Sequence, residues 1–133
     1  MKHYVHQAGY DDQFFIESSA TNDYNVHRGV GSYVYPQARN VLEKHGISCH
    51  GKRAQVLKRS DYRDYDLLIG MDQSNLADMR FICGGDPEGK IHLLLEYTHE
   101  NRDVADPWYT GDFDEAYSDI DRGCLALFHY LTQ

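Results

Sequence analysis

The sequence predicts an α/β fold, a three-layer α/β/α sandwich around a small parallel sheet, with residues 1–133 forming one domain. Three observations lead there. Short apolar runs alternate with segments of helical period along the whole chain. The runs are almost continuously apolar, which suits strands covered on both faces. The helical segments also carry start and stop residues where a helix needs them.

In chain order, Phe14-Phe15-Ile16 is the first strand candidate. Val26 to Val34 is a glycine-bearing loop of the kind that gathers ligands outside the carboxyl ends of a doubly wound sheet. Pro36 opens a helix with Ala38, Val41, Leu42 and His45 on one face, and Gly46 closes it in a left-handed conformation. Asp66 to Met71 is the second strand. Asp72 caps a helix that carries Leu76, Met79 and Cys83 on one side. Ile91 to Leu95 is the third strand. The last helix starts with Asp112 and Glu115 in capping-box spacing, and Phe113, Ala116, Tyr117, Ile120, Cys124, Leu127 and Leu131 make its apolar stripe.

Composition narrows the function. A chain that is 41% hydrophobic and 26% charged is that of a soluble globular protein. No run approaches the roughly 18 apolar residues of a membrane helix. The opening MKHYVHQAGYDDQ has no apolar signal-peptide core, so the expected compartment is the cytoplasm and no membrane partner is expected. A net charge of −8 argues against nucleic acid, whose phosphates demand clustered Lys and Arg. Cys49, Cys83 and Cys124 form neither a disulfide framework nor a C-x-x-C pair. The eight histidines show no paired ligand spacing, so no metal site is expected.

One motif misleads. Gly84-Gly85-Asp86-Pro87-Glu88-Gly89-Lys90-Ile91 matches the G-x-x-x-x-G-K part of a nucleotide-binding loop. Ile91 stands where the Ser or Thr for magnesium belongs, and the segment runs into a strand rather than a helix. Two acids would also repel phosphate. It reads as a helix-to-strand turn.

The stretch Asp103-Val104-Ala105-Asp106-Pro107-Trp108-Tyr109-Thr110-Gly111-Asp112 carries more information. Pro107 fixes the backbone after Asp106. Trp108 and Tyr109 offer ring faces for an aromatic substrate, and Asp106 could protonate a departing oxygen. Equally, the two rings could anchor the loop while Asp106 merely caps a turn. Local residues leave both readings open.

Several segments together resemble the low-molecular-weight protein-tyrosine phosphatase family. They are Ile16-Glu17-Ser18-Ser19-Ala20-Thr21, His45-Gly46-Ile47, Asp61-Tyr62 with Tyr65-Asp66, Met71-Asp72-Gln73-Ser74-Asn75-Leu76, and Asp106-Pro107-Trp108-Tyr109-Thr110-Gly111. They keep family order over almost the whole chain. The resemblance implies phosphotyrosine hydrolysis through a phosphocysteine, with no cofactor, on phosphotyrosine proteins or small phosphomonoesters. It makes Asp106 the general acid, places Tyr24, Trp108 and Tyr109 around the substrate ring, and has Ser18 and Asp72 support the phosphate loop.

The family's C-x-x-x-x-x-R loop, with the strand before it, has no counterpart in these residues. Cys49 has Arg53 too near, Cys83 has Gly89 in the sixth place, and Cys124 has Tyr130 there. The chain as given is therefore expected to be inactive. Truncation of a longer enzyme is the favoured explanation, because the acid loop keeps its form. The alternative is a natural pseudo-phosphatase that binds phosphopeptide or aromatic ligands. Losing an inner strand leaves two edges without partners, at about 1–3 kcal/mol per unpaired buried group. Either the strands close up, or a second chain covers them, for instance in a homo-oligomer.

Overall fold

A computed structural model describes all residues, 1–133. Helix α1 (Lys2–Gln7) is followed by a 3-10 turn at Asp11–Gln13, and strands β1 (Val26–His27) and β2 (Val30–Gly31) pair antiparallel. Helices α2 (Pro36–Lys44) and α3 (Arg59–Asp64) precede β3 (Leu68–Gly70). Helix α4 (Gln73–Cys83) then leads to β4 (Ile91–Leu93), which continues as a 3-10 helix over Leu94–Thr98. A short helix α5 (Pro107–Thr110) and the long α6 (Phe113–Leu131) complete the chain.

β3 and β4 run parallel, with Leu68 opposite Ile91 and Gly70 opposite Leu93. Residues alternate between the two faces of a strand, and here both faces are covered. Leu68 packs with Tyr62, Leu76, Met79, Cys83, Ile91 and Leu93 on the α3/α4 side. Leu67, Ile69 and Met71 pack around Leu94, Leu95, Val104 and Leu127 on the α6 side. The layering is the α/β/α sandwich that the apolar runs imply.

Helix ends follow the capping chemistry read from sequence. Asp72 Oδ1 accepts from the Asn75 N–H at 2.7 Å, and Asp112 Oδ1 from the Glu115 N–H at 2.9 Å. Gly84 ends α4 with φ 77°, in the left-handed region that glycine enters without steric cost.

Three expectations need correction. Phe14-Phe15-Ile16 is not a strand: Phe14 is extended, but the segment pairs with nothing until Ala20 bridges Val56 in parallel. An apolar run becomes a strand only beside a hydrogen-bonding neighbour, and Phe15 instead stacks on Tyr65, 76% exposed. Second, the glycine-bearing segment Val26 to Val34 is not all loop but holds a hairpin. Positive φ at Arg28 (52°) and Gly29 (78°) turns β1 tightly into β2, as a two-residue hairpin requires. Third, the buried stripe of α6 runs through Ala116, Asp119, Gly123, Leu127 and Phe128, whereas Ile120 and Leu131 are exposed. Gly123 turns inward because α6 lies on the buried Leu94, whose Cγ would stand 2.5 Å from an added Cβ.

The hairpin is seated just as tightly. A Cβ on Gly31 would lie 1.7 Å from the Ala54 carbonyl oxygen, and the Ala54 N–H donates to the Ser32 carbonyl at 2.8 Å. Because backbone rather than a flexible side chain blocks the space, Gly31→Ala must displace the hairpin. Urea denaturation should show a loss of about 1–3 kcal/mol, the usual cost of overpacking.

Candidate active site

Asp119 organises the site from below. Only 3% exposed, its carboxylate accepts from Arg102 Nη1 (3.0 Å) and Nη2 (2.8 Å), Arg122 Nη2 (2.8 Å) and the Ala105 N–H (3.0 Å). Arg122 also donates to Glu100 at 2.6 Å. Bidentate contact with Arg102 is the foremost reason that the carboxyl falls from its ordinary 3.8 to about 2. Burial opposes ionisation, but the hydrogen bonds outweigh it. Residues 100–105 are thereby lashed to the middle of α6.

The next residues are tied to the end of the sheet. The Val104 N–H donates to the Met71 carbonyl at 2.8 Å, and Asp103 Oδ1 accepts from the Gln73 N–H at 3.0 Å. Met71 donates to Asn75 Oδ1 at 3.1 Å, so Asp72 and Asn75 together brace the turn from β3 into α4.

Asp106 emerges from this anchorage half-buried, as the cap of α5. Its Oδ1 accepts from the Trp108 N–H at 2.9 Å, and its Oδ2 makes no hydrogen bond. Trp108 tilts against Tyr35 at 4.7 Å between ring centroids and meets Phe113 edge-on at 6.4 Å, yet remains 68% exposed. Tyr109 is 90% exposed and Tyr24 78%, and neither ring touches another. The structure thus gathers Trp108, Tyr35 and Phe113, but not Tyr24, into one aromatic group. Sequence reading missed Tyr35, whose only local signal is an aromatic before Pro36.

Ser18 lies on the extended segment before Ala20, where its carbonyl accepts from Gln55 Nε2 at 2.7 Å. Between this segment and β3 runs a cleft of about 300 Å³, lined by Ser19 and Thr21 on one rim and by Leu67 to Met71 on the other. No backbone hydrogen bond crosses it, so the expectation that the strands close up is wrong. Each rim is held from behind by its own partner, Gln55 and Leu57 for Ala20 and β4 for β3, which leaves neither free to move across.

None of the thiols meets these groups. Cys83 is buried in the α4 core, where desolvation raises its pKa and disfavours the thiolate. Cys124 packs with the α6-side core, and Cys49 stands in the loop after α2, beside His50. The glycine-rich segment before β4 is a turn. Asp86 accepts there from the Tyr62 hydroxyl (2.8 Å) and from the Lys90 (2.7 Å) and Ile91 (3.3 Å) amides. The amides that a phosphate would need are already taken by a carboxylate. No helix is long and apolar enough to cross a membrane.

The family model for low molecular weight phosphotyrosine protein phosphatase matches residues 1–133. The chain belongs to that family. A low molecular weight protein-tyrosine-phosphatase of Bacillus subtilis, YfkJ, is 33% identical over 100 residues, spanning 74% of this chain and 64% of the relative. PtpA of Staphylococcus aureus, similarly named, is 32% identical over 119 residues, or 84% of this chain and 75% of the relative. The chain thus spans about two thirds to three quarters of the length of these relatives. The crystal structure of YfkJ superposes with a TM-score of 0.90 at 26% identity, covering 98% of this chain and 81% of that one. A Streptococcus pyogenes low molecular weight protein tyrosine phosphatase gives 0.78 at 29%, over 91% and 75%.

Within this phosphatase fold, Asp119 carries a pH signature. Its folded-state pKa lies below the unfolded one, so the ionised form favours the folded chain. That contribution is complete above about pH 4 and is lost as pH falls toward 2. Asp119→Asn should remove it, at about 1–3 kcal/mol for the lost charge-assisted hydrogen bonds, since both arginines are half-exposed and stay solvated. Urea midpoints of both proteins from neutral to acid pH should converge at the acid end; a constant gap would mean that the charge is not what matters.

Proposed function

We propose that this chain carries the acid loop and aromatic substrate walls of a protein-tyrosine phosphatase. The observation that supports it is the double anchorage of residues 102–105, which presents Asp106 at the carboxyl end of β3 with one carboxylate oxygen unengaged. Asp106 Oδ1 is fixed by the Trp108 amide, so Oδ2 is the oxygen to carry a proton to a leaving phenolate. In the second step the same carboxylate takes a proton from water. Trp108 and Tyr109, together with Tyr24, would grip the phenyl ring, and Tyr35 buttresses Trp108 at 4.7 Å. Asp72 and Ser18 would steady the phosphate-binding loop. Asp72 already fixes the start of α4.

The reaction needs a thiolate and a guanidinium on the phosphoryl group. No C-x-x-x-x-x-R occurs within residues 1–133, and the buried Cys83 is a poor thiolate. These residues alone therefore bind rather than turn over. A phosphopeptide-binding pseudo-phosphatase is the second reading, favoured by the solvent-exposed Trp108 and Tyr109, which no thiol of the chain meets.

Trp108 is the one tryptophan, so its fluorescence reports the wall directly. Phosphotyrosine should quench it saturably and phosphoserine should not, with the effect weakened by Tyr35→Ala. Hydrolysis of p-nitrophenyl phosphate by the 133-residue chain should stay at the buffer rate. Turnover that disappears in Cys49→Ser would reveal a nucleophile and overturn the inactive assignment. Equal quenching by both phosphoamino acids would sink the aromatic-wall reading.

A further inference from the structure

Charge is distributed unevenly along the chain. Residues 24–60 hold seven of the thirteen Lys and Arg but one of the twenty-one Asp and Glu. The segment therefore carries +6 in a protein of −8, and the remainder carries −14. It comprises the β1/β2 hairpin, α2 and the loop that leads into α3. His27, Arg28, Arg39, His50, Arg53 and Lys58 are all exposed. Of the seven cations only Arg39 and Lys44 have a carboxylate nearby, Glu43 at 4.0 Å and Asp114 at 2.5 Å. Elsewhere Arg63, Lys90, Arg102 and Arg122 are all paired with acids.

Within this segment lies an open cleft of about 600 Å³, with Tyr33, Val34, Arg39, Glu43 and His50 among its walls. Arg53 stands beside it, its guanidinium 3.9 Å from the centroid of the Tyr33 ring. Arg53 Nη1 donates to the Gly31 carbonyl at 3.0 Å, and Nη2 donates to the Tyr33 hydroxyl. A guanidinium has five N–H donors, so three on Arg53 stay uncommitted in a fixed orientation. Arg39 makes no hydrogen bond, only the 4.0 Å contact with Glu43, the one acid of the segment. Guanidinium forks fit carboxylates, and Arg and Tyr are enriched where protein interfaces gain most of their affinity. The basic face is also short. Asp23 precedes the hairpin, and Asp112, Asp114 and Glu115 stand where α6 begins against α2. A nucleic-acid strand or a membrane surface carries its charge on past these acids, which would repel it. An acidic segment of a few residues fits between them.

We propose that this face docks a short acidic segment of a separate polypeptide, whose Asp and Glu carboxylates are received by Arg39, His50 and Arg53. Tyr33 and Val34 supply the apolar contact beneath it. The docking needs no phosphate group and no turnover, so it stands apart from the phosphatase reading.

The test is fluorescence anisotropy at low salt with the fluorescein-labelled peptide Gly-Glu-Asp-Glu-Glu-Asp-Glu. Saturable binding is expected although peptide and protein share the sign of their net charge. The double variant Arg39→Gln/His50→Gln should bind about tenfold or more weakly. Both side chains are exposed, whereas Arg53 also holds Gly31 and Tyr33 and is left in place. Arg80→Gln changes the formal charge equally on α4, across the sheet from α2, and should bind as the unaltered chain does. Equal weakening by Arg80→Gln would mean that total charge alone governs binding. Undiminished binding by the double variant, or of the same peptide with Gln and Asn for Glu and Asp, would mean adhesion elsewhere. Either result overturns the proposal, as does an absence of saturable binding. A labelled hexathymidylate that binds more tightly than the peptide would make phosphate the ligand and overturn it too. If sedimentation at low salt gives twice the chain mass, and the double variant does not, a second copy's acids occupy the face and the separate-partner proposal fails.

Discussion

A single buried carboxylate sets the geometry on which the candidate site depends. Asp119 sits in the middle of α6, almost without solvent, and a charge so placed is tolerable only with full pairing. Arg102, Arg122 and the Ala105 amide supply it, and two of these belong to the segment leading to Asp106. The backbone of that segment cannot drift without stripping the carboxylate of partners. Val104 and Asp103 then fasten the same residues to Met71 and Gln73. The loop that carries Asp106 is thus strung between a helix on one face of the sheet and the end of β3.

Beyond Ala105 the constraints relax. The α5 helix has only four residues, and its rigidity comes from Pro107, the Asp106 cap and the packing of Trp108 on Tyr35 and Phe113. Its aromatic surface faces solvent, and nothing within the chain covers Tyr109. Exposed aromatics grouped beside a placed carboxylate are what a ring-binding wall requires. The bland alternative, that Asp106 only caps a turn, is true of Oδ1 and silent about Oδ2. The cap engages one oxygen and leaves the other without a partner.

Local chemistry was legible in the sequence, and distant pairing was not. Asp72, Asp112 and Gly46 act on residues within a turn of themselves, and they announced the starts of α4 and α6 and the end of α2. The Asp106-Pro107-Trp108-Tyr109 loop was likewise readable, because its conformation is set within itself. Arg102 and Asp119 are 17 positions apart on different elements, and no periodicity points from one to the other. That ion pair also rotates the buried face of α6, bringing Asp119 and Gly123 inward where the apolar stripe favoured Ile120. Phe14-Phe15-Ile16 failed for the converse reason. Its composition suits a strand, but a strand is a relation to a neighbour, and the neighbour must be present.

The cleft persists for the same relational reason. Closing it would bring Ser19 to Ile69, and each belongs to a strand-like segment already bonded on its other side. β3 additionally sends Leu68 into one core and Leu67, Ile69 and Met71 into the other. Sliding it sideways would unpack both at once, and close-packed interiors resist that. Gaining a few exposed hydrogen bonds, at about 0.5–1.5 kcal/mol each, does not offset the loss of even one well-buried side chain, at about 2–5 kcal/mol. Met71 lines that cleft and also holds Val104. The carboxyl end of β3 is thereby tied to the loop that carries Asp106.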